Sequence, residues 1–331
     1  MRDILDIAET NIKPHEDYFG FLCRLFENSR AYGLTSQKIA DIINAQYGKN
    51  YGESKYRKQY TAFTAGRKYE RELSTRNGHR VLILSDFHVP YQLPLETFSA
   101  FKGRVDTLVI GGDFLDCQSI SKFSKKYRVS LMKELVMGRE LLIALIKMIG
   151  AKEVYIIDGN HEARLMRYAS DRVDEDVLEV FPESPMVWIV DEGFNLHNHE
   201  NGTTIWHSPI REVLPEYKIH YSKDWYCRVG KTLIAHPLTY SSSMLKTTEK
   251  AVNFFLRKEK DFDCVCLAHT HKLGSFHQGN IAMYEVGCCC DPDKVDYARG
   301  RLTLPQQPGF CMIVQDEDGA IIPNQSNTIV V

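Results

Sequence analysis

Aspartate, asparagine and histidine recur in this sequence just after short apolar runs. Residues 81–84 are followed by Asp86 and His88, and residues 108–110 by two glycines, Asp113 and Asp116. Residues 154–157 lead to Asn160, His161 and Glu162, residues 232–234 to His236, and residues 265–267 to His269 and His271. Carboxylate, imidazole and amide oxygen are hard-to-borderline metal ligands, and carboxylate and imidazole also move protons. Each fragment alone is weak, because a DxH or HxH triplet arises by chance and a lone histidine is more often structural. Five apolar runs that end alike predict one site, built where the strands of a sheet end.

The elements that must position these residues follow from periodicity. Short apolar runs bounded by glycine and polar residues read as strands, and Gly111 and Gly112 suit a tight exit from one of them. Leu131, Leu135, Leu142, Leu145 and Ile149 recur at helical spacing and predict an amphipathic helix. From Arg80 onward the alternation of strand, loop and helix predicts helices packed on a mixed sheet, with closing strands after Gly279. The interval 163–226, punctuated by Pro182, Pro185, Pro209 and Pro215, reads as a substrate-side insertion whose first part looks helical. His197, His199 and His207 within it read as surface or hydrogen-bonding residues.

Residues 1–78 read as a separate helical module. Phe19, Leu22, Leu25 and Phe26 mark one helix; Thr35 is placed to cap a second, with Ile39, Ile42 and Ile43 inward. Ser54 is placed to cap a third, carrying Tyr56, Tyr60 and Phe63. Three short helices with a turn between the second and third are helix-turn-helix-like. Between Lys55 and Arg76 stand seven basic residues against two acidic ones. Lys55, Arg57, Lys58, Arg67 and Lys68 are therefore candidate nucleic-acid contacts. Tyr56, Tyr60 and Phe63 fit a core better than base stacking.

The chain has 331 residues, 44% hydrophobic and 25% charged, the composition of a globular protein large enough for well-buried cores. A net charge of −2 excludes no partner, because a balanced total can hide a local patch. No basic segment followed by an apolar run opens the sequence, and no window approaches the length of a membrane span. A cytoplasmic protein without a membrane partner is expected. Nine cysteines, an odd number in a large chain, read as reduced thiols. Cys264 and Cys266 alternate as core residues do. Cys288, Cys289 and Cys290 lack the paired spacing of a zinc site and read as structural.

Taken in order, DxH at 86–88, GDxxD at 112–116, GNHE at 159–162, His236 and HTH at 269–271 form a set. That set resembles the calcineurin-like metallophosphoesterase superfamily over about residues 80–315. SDFHVPY, DCQSISKFSK and GNHEARLMRY look like its phage and prophage members. The resemblance implies an α/β (α+β) fold over residues 79–331, a sandwich of two mixed β-sheets flanked by helices, beside the small all-α module. It implies two divalent metal ions, manganese first, with iron or zinc as alternatives. Asp86, His88, Asp113 and His271 would hold one ion, and Asp113, Asn160, His236 and His269 the other, with Asp113 bridging. Such a pair can share a hydroxide that attacks phosphorus in line. His161 would protonate or stabilise the leaving oxygen, and Asp116 would orient it. Cys117 and Gln118 stand where the protein serine/threonine phosphatases carry Arg-Gly, which turns the reading away from phosphoproteins. Ala268 and Pro237 replace glycines common in the family.

The implied activity is a phosphoric ester hydrolase, and the expected substrate is DNA or RNA, cut as by a phosphodiesterase or nuclease. Lys122, Lys125, Lys126 and Arg128, interleaved with Phe123 and Tyr127, follow Asp116. There cations can track phosphates and rings can stack bases. A phosphomonoesterase or small-nucleotide phosphodiesterase is the alternative enzyme. An inactive DNA-binding scaffold is a third reading, which the filled ligand positions oppose. For a phage-encoded protein the site of action would be the host cytoplasm.

Overall fold

The computed structural model describes residues 10–75, 78–122, 128–198, 200–243, 245–295 and 306–331, with side chains of 65–75 excepted. The chain divides into two compact units, the second beginning at Gly78. Among the described residues no helix is long and apolar enough to cross a membrane.

The amino-terminal unit contains α1 (Tyr18–Glu27), α2 (Ser36–Tyr47) and α3 (Glu53–Thr75). Asp17 accepts from Gly20 N at 2.7 Å at the start of α1. Thr35 Oγ1 accepts from Lys38 N at 3.3 Å at the start of α2. Each cap satisfies a backbone donor that the helix leaves open. Phe21, Leu22, Leu25, Ile39, Ile43 and Tyr56 form the core. Phe21 was not among the expected inward residues, and Phe19 is partly exposed, stacked on Phe63 at 4.6 Å. Tyr56 is fully buried with its hydroxyl on Asn44 Oδ1 at 2.6 Å, and Tyr60 stacks on Phe26.

In the second unit, β1 (His79–Leu84), β2 (Thr107–Gly111), β3 (Glu153–Ile157), β6 (Lys218–Ser222), β12 (Gly309–Gln315) and β13 (Asn327–Val330) form one sheet. Its order is β13-β12-β1-β2-β3-β6; the pairs from β1 to β6 are parallel and those with β12 antiparallel. The strands β7 (Tyr226–Val229), β8 (Thr232–Ala235), β9 (Cys264–Leu267), β10 (Leu273–Gln278) and β11 (Ile281–Val286) form a second mixed sheet, ordered β10-β11-β9-β8-β7. The remaining strands, β4 (Phe194–His197) and β5 (Thr204–His207), make a separate hairpin.

Strand alternation sorts the side chains into layers. Val81, Ile83 and Val109 face Ile234, Cys264, Cys266 and Tyr284 between the sheets. The alternate residues Leu82, Leu84, Leu108 and Ile110 face α4 (Leu131–Ile149) through Leu135, Leu142, Leu145 and Ile146. On the far side, Leu233, Val265 and Leu267 face α6 (Lys246–Lys258) through Val252 and Phe255. Each fully buried side chain of this size contributes about 1.5–3 kcal/mol. The result is two mixed sheets face to face with helices outside, the fold class expected.

The interval 163–226 departs from a single insertion. Its helix α5 is short (Arg164–Ser170), the hairpin β4–β5 follows, and β6 belongs to the main sheet as an edge strand. Only Ile219 of β6 is buried, so its sequence lacks the continuous apolar signal of an inner strand. His197 bonds Thr204 Oγ1 and His207 stacks on Phe194; His199 lies outside the described residues.

Candidate metal centre

Backbone pairing beyond the strands brings the β1 and β2 exits together. Asp86 N bonds Gly112 O, His88 N bonds Asp113 O and Val89 N bonds Phe114 O, each at 3.0 Å. His161 N donates to Asp113 Oδ1 at 2.8 Å, which ties the β3 exit to the same carboxylate. His269 N donates to Asp86 Oδ2 at 3.1 Å, which ties in the β9 exit. Asp86, His88, Asp113, His269 and His271 all hold positive φ, between 48° and 74°. That left-handed region is unfavourable for non-glycine residues, and its concentration in one place marks a functional site.

Two groups of donors meet on Asp113. On one side, His88 Nε2 lies 3.1 Å from His271 Nε2, 3.9 Å from Asp86 Oδ1 and 3.8 Å from Asp113 Oδ2. His271 Nε2 is 3.0 Å from Asp86 Oδ1. On the other side, His236 Nε2 lies 3.3 Å from Asp113 Oδ1 and 3.2 Å from Asn160 Oδ1. His269 joins Asp113 and His236 within 4.8 Å. All seven residues proposed from the sequence as ligands converge, and the two oxygens of Asp113 face different groups.

These residues fit cations. His236 Nδ1 lies 2.9 Å from the carbonyl of Gly111, which can only accept, so Nδ1 carries the hydrogen. In the neutral ring Nε2 then presents a lone pair to a carboxylate oxygen and an amide oxygen. Three electron-rich atoms so arranged call for a positive charge among them. His269 Nε2 is buried with no hydrogen-bond partner among the described residues. Burial alone would lower the His236 pKa, but Asp113 and Asp86 outweigh it and push it up to about 9. The same buried negative charge favours divalent ions.

His161 joins His88 and Asp113 in a further group whose ligand atoms lie within 4.8 Å of one another. Its Nδ1 is 3.0 Å from Asp116 Oδ1, and its Nε2 is 3.7 Å from Asp113 Oδ2. Burial pulls its pKa down to about 4 against the opposing pull of Asp113. The sequence reading missed Arg164, whose Nη2 lies 2.7 Å from His161 Nε2 and whose Nη1 donates to Asp116 O at 2.7 Å. It also missed Arg167, whose Nη2 donates to Asn160 O at 2.6 Å. Arg164 and Arg167 stand three apart on α5, a spacing visible in GNHEARLMR once a helix is assumed. Glu162, quoted but given no role, is fully buried and accepts from Asp113 N, Leu115 N and Gly159 N at 2.8–3.0 Å. It fixes the β2 exit to the β3 exit. Gly159 is required there, since a Cβ would run into Asp113 Oδ1 and N.

A cavity of about 350 Å³ opens beside α5, lined by Lys122, Arg128, Arg164, Arg167, Tyr168 and Arg172 among others. Among the described lining residues, five cations accompany one acid, Asp171, which sits 3.7 Å from Lys122. Lys125 and Lys126 lie outside the described residues. In the amino-terminal unit, Lys55 sits over the Tyr51 ring, Arg57 pairs with Glu53, and Lys58 is exposed. The side chains of Arg67 and Lys68 lie outside the description.

The calcineurin-like phosphoesterase family model matches residues 79–273, more than half of the sequence, and the chain belongs to that family. The YonJ N-terminal domain model matches residues 6–75. Among named relatives, the SPbeta prophage-derived uncharacterized protein YonJ of Bacillus subtilis (strain 168) is 31% identical over 81 residues. That stretch is 24% of this chain and 20% of the relative, so the match spans a fifth of the relative's length. Similar solved structures include a metallophosphoesterase from Sphaerobacter thermophilus, at 15% identity, TM-score 0.37, covering 77% of this chain and 88% of that one. Vacuolar protein sorting 29 from Cryptosporidium parvum matches at 14% identity and TM-score 0.35, covering 77% and 97%. An archaeal phosphodiesterase matches at 16% identity and TM-score 0.32, covering 76% and 99%.

Proposed function

We propose that the protein is a dinuclear-metal phosphodiesterase that hydrolyses nucleic acid. The observation that carries this reading is the basic cavity along α5, whose Arg164 also touches His161 at the metal centre. Several cations lining one cavity suit a substrate with several phosphates better than one with a single phosphate. Asp86, His88, Asp113 and His271 would hold one ion, and Asp113, Asn160, His236 and His269 the other. Divalent ions there supply Lewis acidity toward a phosphoryl oxygen and a water nucleophile active near neutral pH; manganese suits the oxygen and imidazole donors.

The protein's own groups supply the rest. Glu162 and Gly159 hold the Asp113 and Asn160 loops in register. Asp116 fixes the His161 ring through Nδ1, and Arg164 Nη2 reaches its Nε2, so that the ring and the guanidinium act as a pair. That pair orients a phosphoryl oxygen and stabilises the leaving oxygen. Lys122, Arg128 and Arg172 track the flanking phosphates. Lys55, Arg57 and Lys58 of the helix-turn-helix-like unit add contacts to the nucleic acid. A prophage relative fits action in a bacterial cytoplasm.

The test is a panel of labelled DNA and RNA strands, a minimal aryl phosphodiester and a minimal aryl phosphomonoester, with manganese and an Asp113→Asn control. Cleavage of strands and diester, absent from the control, is expected. Turnover of the monoester alone would replace this reading with a phosphomonoesterase.

A further inference from the structure

The three consecutive cysteines have a place in the fold that their spacing did not disclose. Cys289 N donates to Ser85 O at 2.9 Å, Leu93 N donates to Cys289 O at 2.8 Å, and Asp291 N donates to Tyr91 O at 2.8 Å. The triplet therefore runs along the loop that carries Asp86 and His88. Pairing on its other side, Cys288 N to Gln307 O and Gly309 N to Cys288 O, holds it there. All three residues are fully buried. As extended backbone requires, they alternate: Cys289 joins the apolar core under the sheet, while Cys288 and Cys290 point the other way with Val295 and Tyr91. On that side the Cys290 sulfur and one ring nitrogen each of His88 and His271 lie within 4.8 Å of one another.

We propose that Cys290 is a thiolate ligand to the ion held by Asp86, His88 and His271. The inference rests on the metal-centre reading and adds that the two positions are chemically unequal. The position shared by Asp113, Asn160, His236 and His269 offers only oxygen and nitrogen, which suits manganese. The position beside Cys290 adds a soft sulfur, which selects zinc or ferrous iron. On metal binding the thiol proton leaves to solvent and sulfur donates its electron pair to the cation. Cys289 faces the core and serves as the internal control.

The test uses the full chain, stripped of metal and reloaded with cobalt(II) as a spectroscopic probe. A thiolate-to-cobalt charge-transfer band in the near ultraviolet is expected for the unaltered chain and for Cys289→Ala, and is lost in Cys290→Ser. Zinc-loaded unaltered protein, which depends on no variant folding, should give an X-ray absorption spectrum with a sulfur neighbour at about 2.3 Å. Preference for zinc over manganese should fall about 10- to 100-fold in Cys290→Ser. Cobalt bound without the band, a band that survives Cys290→Ser, or zinc without sulfur overturns the thiolate assignment while leaving the metal centre standing. Protein that binds no cobalt at all overturns both.

Discussion

In the amino-terminal unit, residue types agree with the backbone they occupy, with His15 at φ 68° the one exception among the described residues. Asp17 and Thr35 cap helices, glycine takes the left-handed position that ends α2 at Gly48, and aromatic rings stack on one another around a small core. At the strand ends of the second unit the agreement fails. Asp86, His88, Asp113, His269 and His271 occupy left-handed backbone where glycine is favoured, and buried histidines face carboxylates and each other across 3–4 Å. Such residues cost about 1–3 kcal/mol each and persist when the surrounding fold holds them. The apolar layers on either side of the two sheets and Glu162 provide that hold. The difference separates a region built for stability from one in which stability is given up for a cation site.

Three perturbations sharpen that contrast. The largest effect belongs to His161→Asn, which leaves the seven proposed ligands in place. Turnover of a phosphodiester should fall about 10²- to 10⁴-fold, while metal content measured by mass spectrometry stays unchanged. Loss of metal from this variant would make His161 a ligand instead.

Next is Gly159→Ala, where the added methyl collides with Asp113. A loss of about 1–3 kcal/mol in chemical denaturation is expected, together with weaker metal binding by titration. Unchanged stability and affinity would mean that the β2 and β3 exits are looser than described.

The smallest effect lies in the amino-terminal unit. Arg24 grips Glu16 through two bonds, Nε to Oε1 at 2.7 Å and Nη2 to Oε2 at 2.8 Å, and holds its pKa below the ordinary value. A depressed folded pKa contributes stability above the unfolded value, and that contribution is lost as pH falls through the folded one. Hydrogen exchange in α1 should therefore accelerate as pH drops below about 4, after correction for intrinsic rates. Glu16→Gln should remove most of that dependence, by under about 1 kcal/mol. An identical pH response in the variant would assign the effect elsewhere.

Much of this was visible in the sequence because strand ends carry a local signal. A run of β-branched and leucine residues followed by Asp, Asn or His marks both a strand and what it delivers, so β1, β2, β3, β8 and β9 could be placed. β6 could not, since an edge strand with one buried residue has no such run. Arg164 and Arg167 gain meaning only when α5 turns them toward His161 and Asn160. Cys290 meets His88 across some two hundred residues, a relation no spacing rule reaches. Left-handed φ at aspartate and histidine is likewise set by tertiary contacts and leaves no mark in composition.

The central claim is that Asp113 joins two cation positions at the ends of the strands. Metal content and phosphodiester hydrolysis, measured together on the unaltered chain and on Asp113→Asn after equal exposure to manganese and zinc, test it most directly. The account predicts two ions per chain with hydrolysis, and in the variant at most one ion with hydrolysis abolished. Equal metal content and equal hydrolysis in the two proteins would contradict it.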